Sequence, residues 1–135
     1  MPYITKIYKF CAAHRYWNSD WTDKQNQDVF HDDIKIHGHN YILEVTIKGE
    51  IDQSSGFIVD LKKLSEVVNK YVLSILDHSQ IEKDIDWFTD KQPSTENLVK
   101  FIWEQLYDKI PGASNLYRIM LQETPTIYTE YFGEE

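Results

Sequence analysis

Residues 30–41 read FHDDIKIHGHNY, and the two histidines near their end open a clean alternation. His37, His39, Tyr41, Leu43, Val45 and Ile47 share one face of a strand expected over 37–49. Side chains in a strand repeat every two residues, so His37 and His39 project to the same side, and Gly38 leaves room on the other. Two imidazoles on one face begin a metal site, since imidazole suits zinc. A third ligand is needed, and His14 is the candidate. It ends an earlier alternating stretch, YITKIYKFCAAH (3–14), in register with Phe10 and Ala12. If the two strands pair antiparallel, His14 at the end of one lies near His37 at the start of the next. Three histidines plus an open position make a catalytic centre rather than a structural one. The alternative is a pair of surface histidines at a strand end, and spacing alone leaves both open.

Outward from this pair, the element order is regular. Residues 15–36 are polar, carry Tyr16, Trp17 and Trp21, and lack a sustained period, so they read as a long loop. The aromatic residues there either lid a pocket or pack at a contact. DQSSG (52–56) is a turn, and Phe57, Ile58 and Val59 form a short returning strand. Asp60 caps a helix whose apolar residues Leu61, Leu64, Val67, Val68, Tyr71, Val72, Ile75 and Leu76 keep helical spacing. A loop runs to residue 93. Ser94 or Thr95 opens a second helix with Glu96 in its first turn and Leu98, Phe101, Ile102, Leu106 and Ile110 as its stripe. Strands at 115–123 and 126–132 close the chain. A strand pair, two helices and a second strand pair make an α+β domain, an antiparallel sheet with helices on one face. The free sheet edges favour pairing with further copies.

Composition narrows the function. The 135 residues are enough for one domain, 1–135, with a single core, and 41% hydrophobic content is globular. A net charge of −8 argues against a nucleic-acid or anionic-membrane partner, which needs a basic surface. No apolar run is long enough for a membrane span, and Met1-Pro2-Tyr3 enters a strand pattern with no leader-like segment, so a cytoplasmic protein is expected. One cysteine, Cys11, excludes an intrachain disulfide and a Cys-rich zinc module.

His37-x-His39-x4-Glu44 matches the first motif of the cupins, but two long helices fit that β-sandwich badly, and Glu44 falls on the opposite strand face. A better match is carried by six motifs in order: FCAAHRY (10–16), HGHNY (37–41), SSGFIVDLKKL (54–64), LDH (76–78), PSTENL (93–98) and QETP (122–125). Together they resemble the 6-pyruvoyltetrahydropterin synthase / 6-carboxytetrahydropterin synthase family over nearly the whole chain. The resemblance implies the tunnelling fold, a four-stranded antiparallel sheet with two helices on one face. It also implies a homotrimer closing into a barrel, or two such trimers as a homohexamer.

The resemblance also implies roles. His14, His37 and His39 match the zinc ligands. Glu123 matches the carboxylate anchoring the pterin ring, and Ser94 and Thr95 the hydroxyls touching it. Helix capping is the ordinary role for the latter two. Asp77 and His78 match the Asp-His catalytic relay, in which a carboxylate orients an imidazole for proton transfer. The implied substrate is 7,8-dihydroneopterin triphosphate. Arg15, Lys24 and Lys35 are the cations nearest in sequence for its phosphates.

One departure matters. The synthases place a catalytic cysteine four residues before HGH, or six in a longer pattern. Those positions hold Asp33 and His31 here. Strand alternation turns Cys11 to the other face, as a small buried side chain. Three readings follow. The first is a synthase with an altered base, most readily of the 6-carboxy type that feeds queuosine, with the 6-pyruvoyl type beside it. The second is a carboxylate-based variant giving 6-hydroxymethyl-dihydropterin for folate. The third is a zinc- and pterin-binding paralogue with little turnover.

Overall fold

The computed structural model describes residues 1–134. β1 (Tyr3–His14) pairs antiparallel with β2 (His37–Lys48), and β2 pairs antiparallel with β4 (Asn115–Thr124), which pairs with β5 (Ile127–Tyr131). A fifth strand, β3 (Ser79–Gln80), runs parallel to β1 at Ala12 and Ala13, so the sheet order is β3-β1-β2-β4-β5. The expected four-stranded antiparallel sheet is therefore present, with a two-residue parallel strand added at one edge. Two residues are too few to leave a periodic signal.

Alternation puts Tyr8, Phe10, Ala12 and His14 of β1 inward with Tyr41, Leu43, Val45 and Ile47 of β2. That face is covered by α2 (Leu61–Val68) and α5 (Thr95–Leu106). The Asp60 side chain accepts hydrogen bonds from the Lys62 and Lys63 amides at 3.0 and 3.2 Å, capping α2. We expect Asp60→Ala to cost about 1 kcal/mol, read as a lower urea midpoint with an unchanged slope. Past α2 the helix widens into a π-helical turn, Asn69–Leu73, and ends in α3 (Ser74–Leu76). The reason lies in the sequence. Leu64, Val68, Val72 and Leu76 are spaced by four and are all fully buried. In an unbroken α-helix each such step drifts by about 40° around the axis. A wider turn takes the drift back and keeps all four on the core.

Three local expectations change. Residues 57–59 are not a strand. Asp52 and Phe57 close a turn, through the Asp52 N–H to the Phe57 carbonyl at 2.9 Å, and the Ile58 carbonyl accepts from the Ser114 hydroxyl instead of a ladder partner. The loop at 15–36 contains α1 (Asp23–Phe30) and a 3-10 turn, His31–Ile34. The loop before residue 93 contains α4 (Ile81–Asp84) and a 3-10 turn, Asp86–Phe88. Cys11 does point away from the core, as alternation requires, but it is exposed rather than buried and donates to Asn40 Oδ1 at 2.9 Å. Among the described residues, no helix is long and apolar enough to cross a membrane.

Candidate metal centre and substrate pocket

The β1–β2 register sets His14 opposite His37 and Ala12 opposite His39. Residues directly opposite in an antiparallel pair share a face, so three imidazoles meet, with ring centroids 4.6 to 5.1 Å apart. One ring nitrogen from each lies within 4.8 Å of the others. Backbone carbonyls fix the rings. His14 Nδ1 donates to the Pro93 carbonyl at 3.0 Å, and His37 Nδ1 to the Lys35 carbonyl at 2.8 Å. Both Nε2 lone pairs are thereby turned inward, 3.0 Å apart. Two lone pairs facing each other at that distance call for a proton or a cation between them. His39 Nε2 is buried without a hydrogen bond, with Glu123 Oε1 3.5 Å away. An orphaned buried nitrogen beside two converging ones fits a divalent metal with imidazole ligands, and the carbonyls behind the rings are the usual orienting partners.

Burial disfavours the charged form of two of these rings. It lowers His14 to about 4, with His37 and His39 adding to the effect, and it lowers His39 too. Neutral imidazole is the ligating form. The depressed His14 value also has a stability consequence. The unfolded chain takes up the proton near the ordinary pH of 6.5, while the folded one resists until much lower. Stability from this group is therefore complete above 6.5 and is lost as pH falls towards 4. For metal-free protein we expect a loss of at most about 3 kcal/mol over that window. It should be visible as a falling urea midpoint and should shrink in His14→Gln.

Acidic groups complete the pocket. Glu123 sits near the end of β4, where a bulge between Gln122 and Thr124 shifts the register with β5. Burial raises its pKa, and Asp33 and Glu96 reinforce the rise. Asp33, in the 3-10 turn, holds its Oδ1 3.7 Å from His37 Nε2. Thr95 is buried and bonds Glu96 Oε1 at 3.0 Å and the Thr129 hydroxyl at 2.8 Å. Ser94 caps α5 by accepting from the Asn97 amide at 3.2 Å. Tyr16 and Tyr41 also face these groups. Their hydroxyls are pushed upward, first by burial and then by Glu123, so both stay neutral. Tyr41 Oη stands 3.3 Å from His14 Nδ1. Glu96 and Tyr41 are pocket residues the sequence assigned only to a helix start and a strand face. Tyr41 was within reach, because it continues the alternation of His37 and His39.

Other expected site residues lie elsewhere. Asp77 Oδ1 accepts the Cys11 amide at 2.9 Å, and the His78 amide donates to the Cys11 carbonyl at 2.6 Å. That places the pair on the outer edge of β1. His78 Nδ1 and the Asp77 carboxylate meet at 3.0 Å, and the His78 side chain is 82% exposed. A shallow depression of about 320 Å³ is lined by His78 together with Cys11, Ala13, Gly38 and Asn40 of the outer sheet face and by His39 of the cluster. His31 is exposed at the C-cap of α1 with a positive φ of 56°. Lys24 is tied to Asp28 at 2.7 Å along α1. Lys35 is exposed and reaches His37 through its carbonyl. Arg15 stacks over Trp17 and lines a separate cavity of about 660 Å³ with Gln80, Lys83 and Gln92.

A family model described as 6-pyruvoyl tetrahydropterin synthase matches residues 3–134. The chain belongs to this family. The 6-pyruvoyl tetrahydrobiopterin synthase of Poecilia reticulata is 35% identical over 134 residues, covering 98% of this chain and 90% of that protein. The dihydroneopterin monophosphate aldolase of Pyrococcus furiosus is 33% identical over 114 residues, 84% of this chain and 82% of its own. The structure of Caenorhabditis elegans 6-pyruvoyl tetrahydropterin synthase aligns with a TM-score of 0.90 at 33% identity, covering 99% of this chain and 98% of that one. The α+β architecture is accordingly the tunnelling fold of the 6-pyruvoyl tetrahydropterin synthase family.

Proposed function

We propose that the chain is a zinc-dependent lyase acting on the side chain of a phosphorylated 7,8-dihydropterin, with dihydroneopterin triphosphate as its substrate. The observation that carries this reading is the convergence of His14, His37 and His39 nitrogens beside two carboxylates, Glu123 and Asp33. His14, His37 and His39 would hold the zinc, which would supply a Lewis acid able to polarise a side-chain oxygen and acidify the adjacent C–H bond. Glu123 accepts paired hydrogen bonds from the aminopyrimidinone edge of the ring, which fixes orientation as well as affinity. A carboxylate that burial disfavours as an anion gains most from such donors. Thr95, at the mouth of α5, offers a further hydroxyl to the ring. Asp33 accepts the proton released from carbon.

Two outcomes of that proton transfer compete. Relatives named as 6-pyruvoyl synthases favour elimination of triphosphate to the 6-pyruvoyl product. The aldolase relative, together with a carboxylate at position 33, favours cleavage to a 6-hydroxymethyl pterin. The 6-carboxy route of queuosine synthesis, ranked first by the sequence, has neither support and stands third. We further assign the protein to the cytoplasm and to a homotrimer or homohexamer. In such a ring the stretch of β1 that β3 leaves unpaired and the outer edge of β5 pair between copies, and the relay pair Asp77–His78 of one copy serves the pocket of the next.

Incubating zinc-loaded protein with dihydroneopterin triphosphate and identifying products by mass decides among these. Triphosphate without loss of carbon marks the first outcome, a hydroxymethyl pterin the second, and acetaldehyde the third. Binding without conversion would overturn the enzymatic reading in favour of a pterin-binding paralogue.

A further inference from the structure

The segment between β1 and β2 is an ordered platform, although its sequence has no hydrophobic period. Thr22 and Gln25 form a reciprocal cap at the start of α1. Asn26 is fully buried, accepts the Asn18 amide at 2.7 Å and donates to the Asn18 and Thr22 carbonyls at 3.0 Å each. Three rings stack across it. Trp21 lies on Phe30 at 5.6 Å, Phe30 on Tyr16 at 5.4 Å, both tilted by 22°, and Tyr16 meets His14 at 5.1 Å. The Tyr16 amide donates to the Asp33 carbonyl at 2.9 Å. Asp33 itself rides on a 3-10 turn that has no side-chain cap. Its entry is the positive-φ residue His31, a backbone conformation that neighbours must hold in place.

We propose that Tyr16 is a positioning residue for Asp33, its ring and amide holding the 31–34 turn so that the carboxylate stays beside the imidazole cluster. This rests on the reading of Asp33 as the base. Tyr16 spans both sides of the pocket: its ring meets His14 and, through Phe30, the start of the 31–34 turn, and its backbone amide donates to the Asp33 carbonyl. The positioning is done by the flat ring wedged between Phe30 and His14, whatever the hydroxyl contributes on the Glu123 side. A general base displaced by about 1 Å costs on the order of 10²-fold in rate.

The test compares Tyr16→Phe with Tyr16→Leu, alone and in an Asp33→Asn background, on zinc-loaded protein. Tyr16→Leu should lower kcat by about 10- to 100-fold at nearly unchanged KM, and by clearly more than Tyr16→Phe, which keeps the ring. In the Asp33→Asn background Tyr16→Leu should add almost nothing, because the two act as one unit. Amide exchange across 31–34 should accelerate about tenfold or more in Tyr16→Leu and not in Tyr16→Phe, with zinc stoichiometry unchanged. Phe30→Leu, which loosens the same turn from the other side, should repeat the pattern should Tyr16→Leu fold poorly. Unchanged exchange in both leucine variants, or equal losses in Tyr16→Phe and Tyr16→Leu, would overturn the proposal. If wild-type protein converts no pterin, the proposed function fails while the exchange comparison still judges Tyr16.

Discussion

Asp33→Asn is expected to lower kcat for pterin turnover by about 10²- to 10⁴-fold, the usual contribution of a positioned general base. The amide is isosteric, so the turn, its hydrogen bond from Tyr16 and the neighbouring imidazoles should persist. Only the capacity to take a proton is lost. Zinc content should therefore stay stoichiometric, which separates this variant from one that damages the metal centre. Asp33→Cys is the informative partner. The shorter of the two family patterns places a thiol at this position (the longer one places it at His31), and a thiolate beside a cationic centre is a competent base. Recovery above the asparagine variant, with a changed product ratio, would tie the identity of this one side chain to the choice between elimination and carbon–carbon cleavage. His31→Ala should change kcat little, because its ring is exposed at the helix cap. Full activity in Asp33→Asn, checked by mass-identified product over time, would remove Asp33 from the mechanism and leave the base unassigned.

The strands and the long helices were legible because their order comes from apolar periodicity, which a sequence displays directly. The imidazole cluster was legible for the same reason: His14 continues the inward face of Phe10 and Ala12, and His37 that of Tyr41 and Leu43. The segment at 15–36 was opaque because polar groups hold it. A buried asparagine, a Thr–Gln cap and three stacked rings leave no period, so an ordered platform reads as a loop. Phe57–Val59 misled in the opposite direction. Three apolar residues in a row satisfy a strand pattern, yet Val59 only drops a side chain into the core on the way to the Asp60 cap. Cys11 shows that alternation gives a direction and not a burial. Its outward face is uncovered in a single copy, so the thiol is exposed. The position of Asp77–His78 could not be read at all, since it depends on hydrogen bonds to the backbone of a strand 66 residues away.

That last pair supports the second large prediction. His78 sits on the outer edge of β1 with most of its side chain in solvent, whereas the imidazole cluster faces the helices from within the sheet. A relay must lie within hydrogen-bond reach of the reacting atoms. On the proposed reading, both conditions are met if the relay of one copy reaches the pocket of another. In a head-to-tail ring each pocket then draws ligands from one copy and its relay from the next. His39→Ala, which takes away a nitrogen that has no other partner, should lose stoichiometric zinc and nearly all turnover. His78→Ala should keep zinc and lose turnover. Neither variant alone has a complete site, but co-refolded in equal amounts they should regain activity. Random assembly joins the intact ligands of His78→Ala to the intact relay of His39→Ala at about one site in four, so about a quarter of wild-type kcat per site is expected. No recovery in oligomers shown by native mass to contain both chains would mean the relay acts within its own copy or not at all. Recovery would show that the exposed edge of β1 is part of the active site, and that this chain cannot catalyse as a monomer.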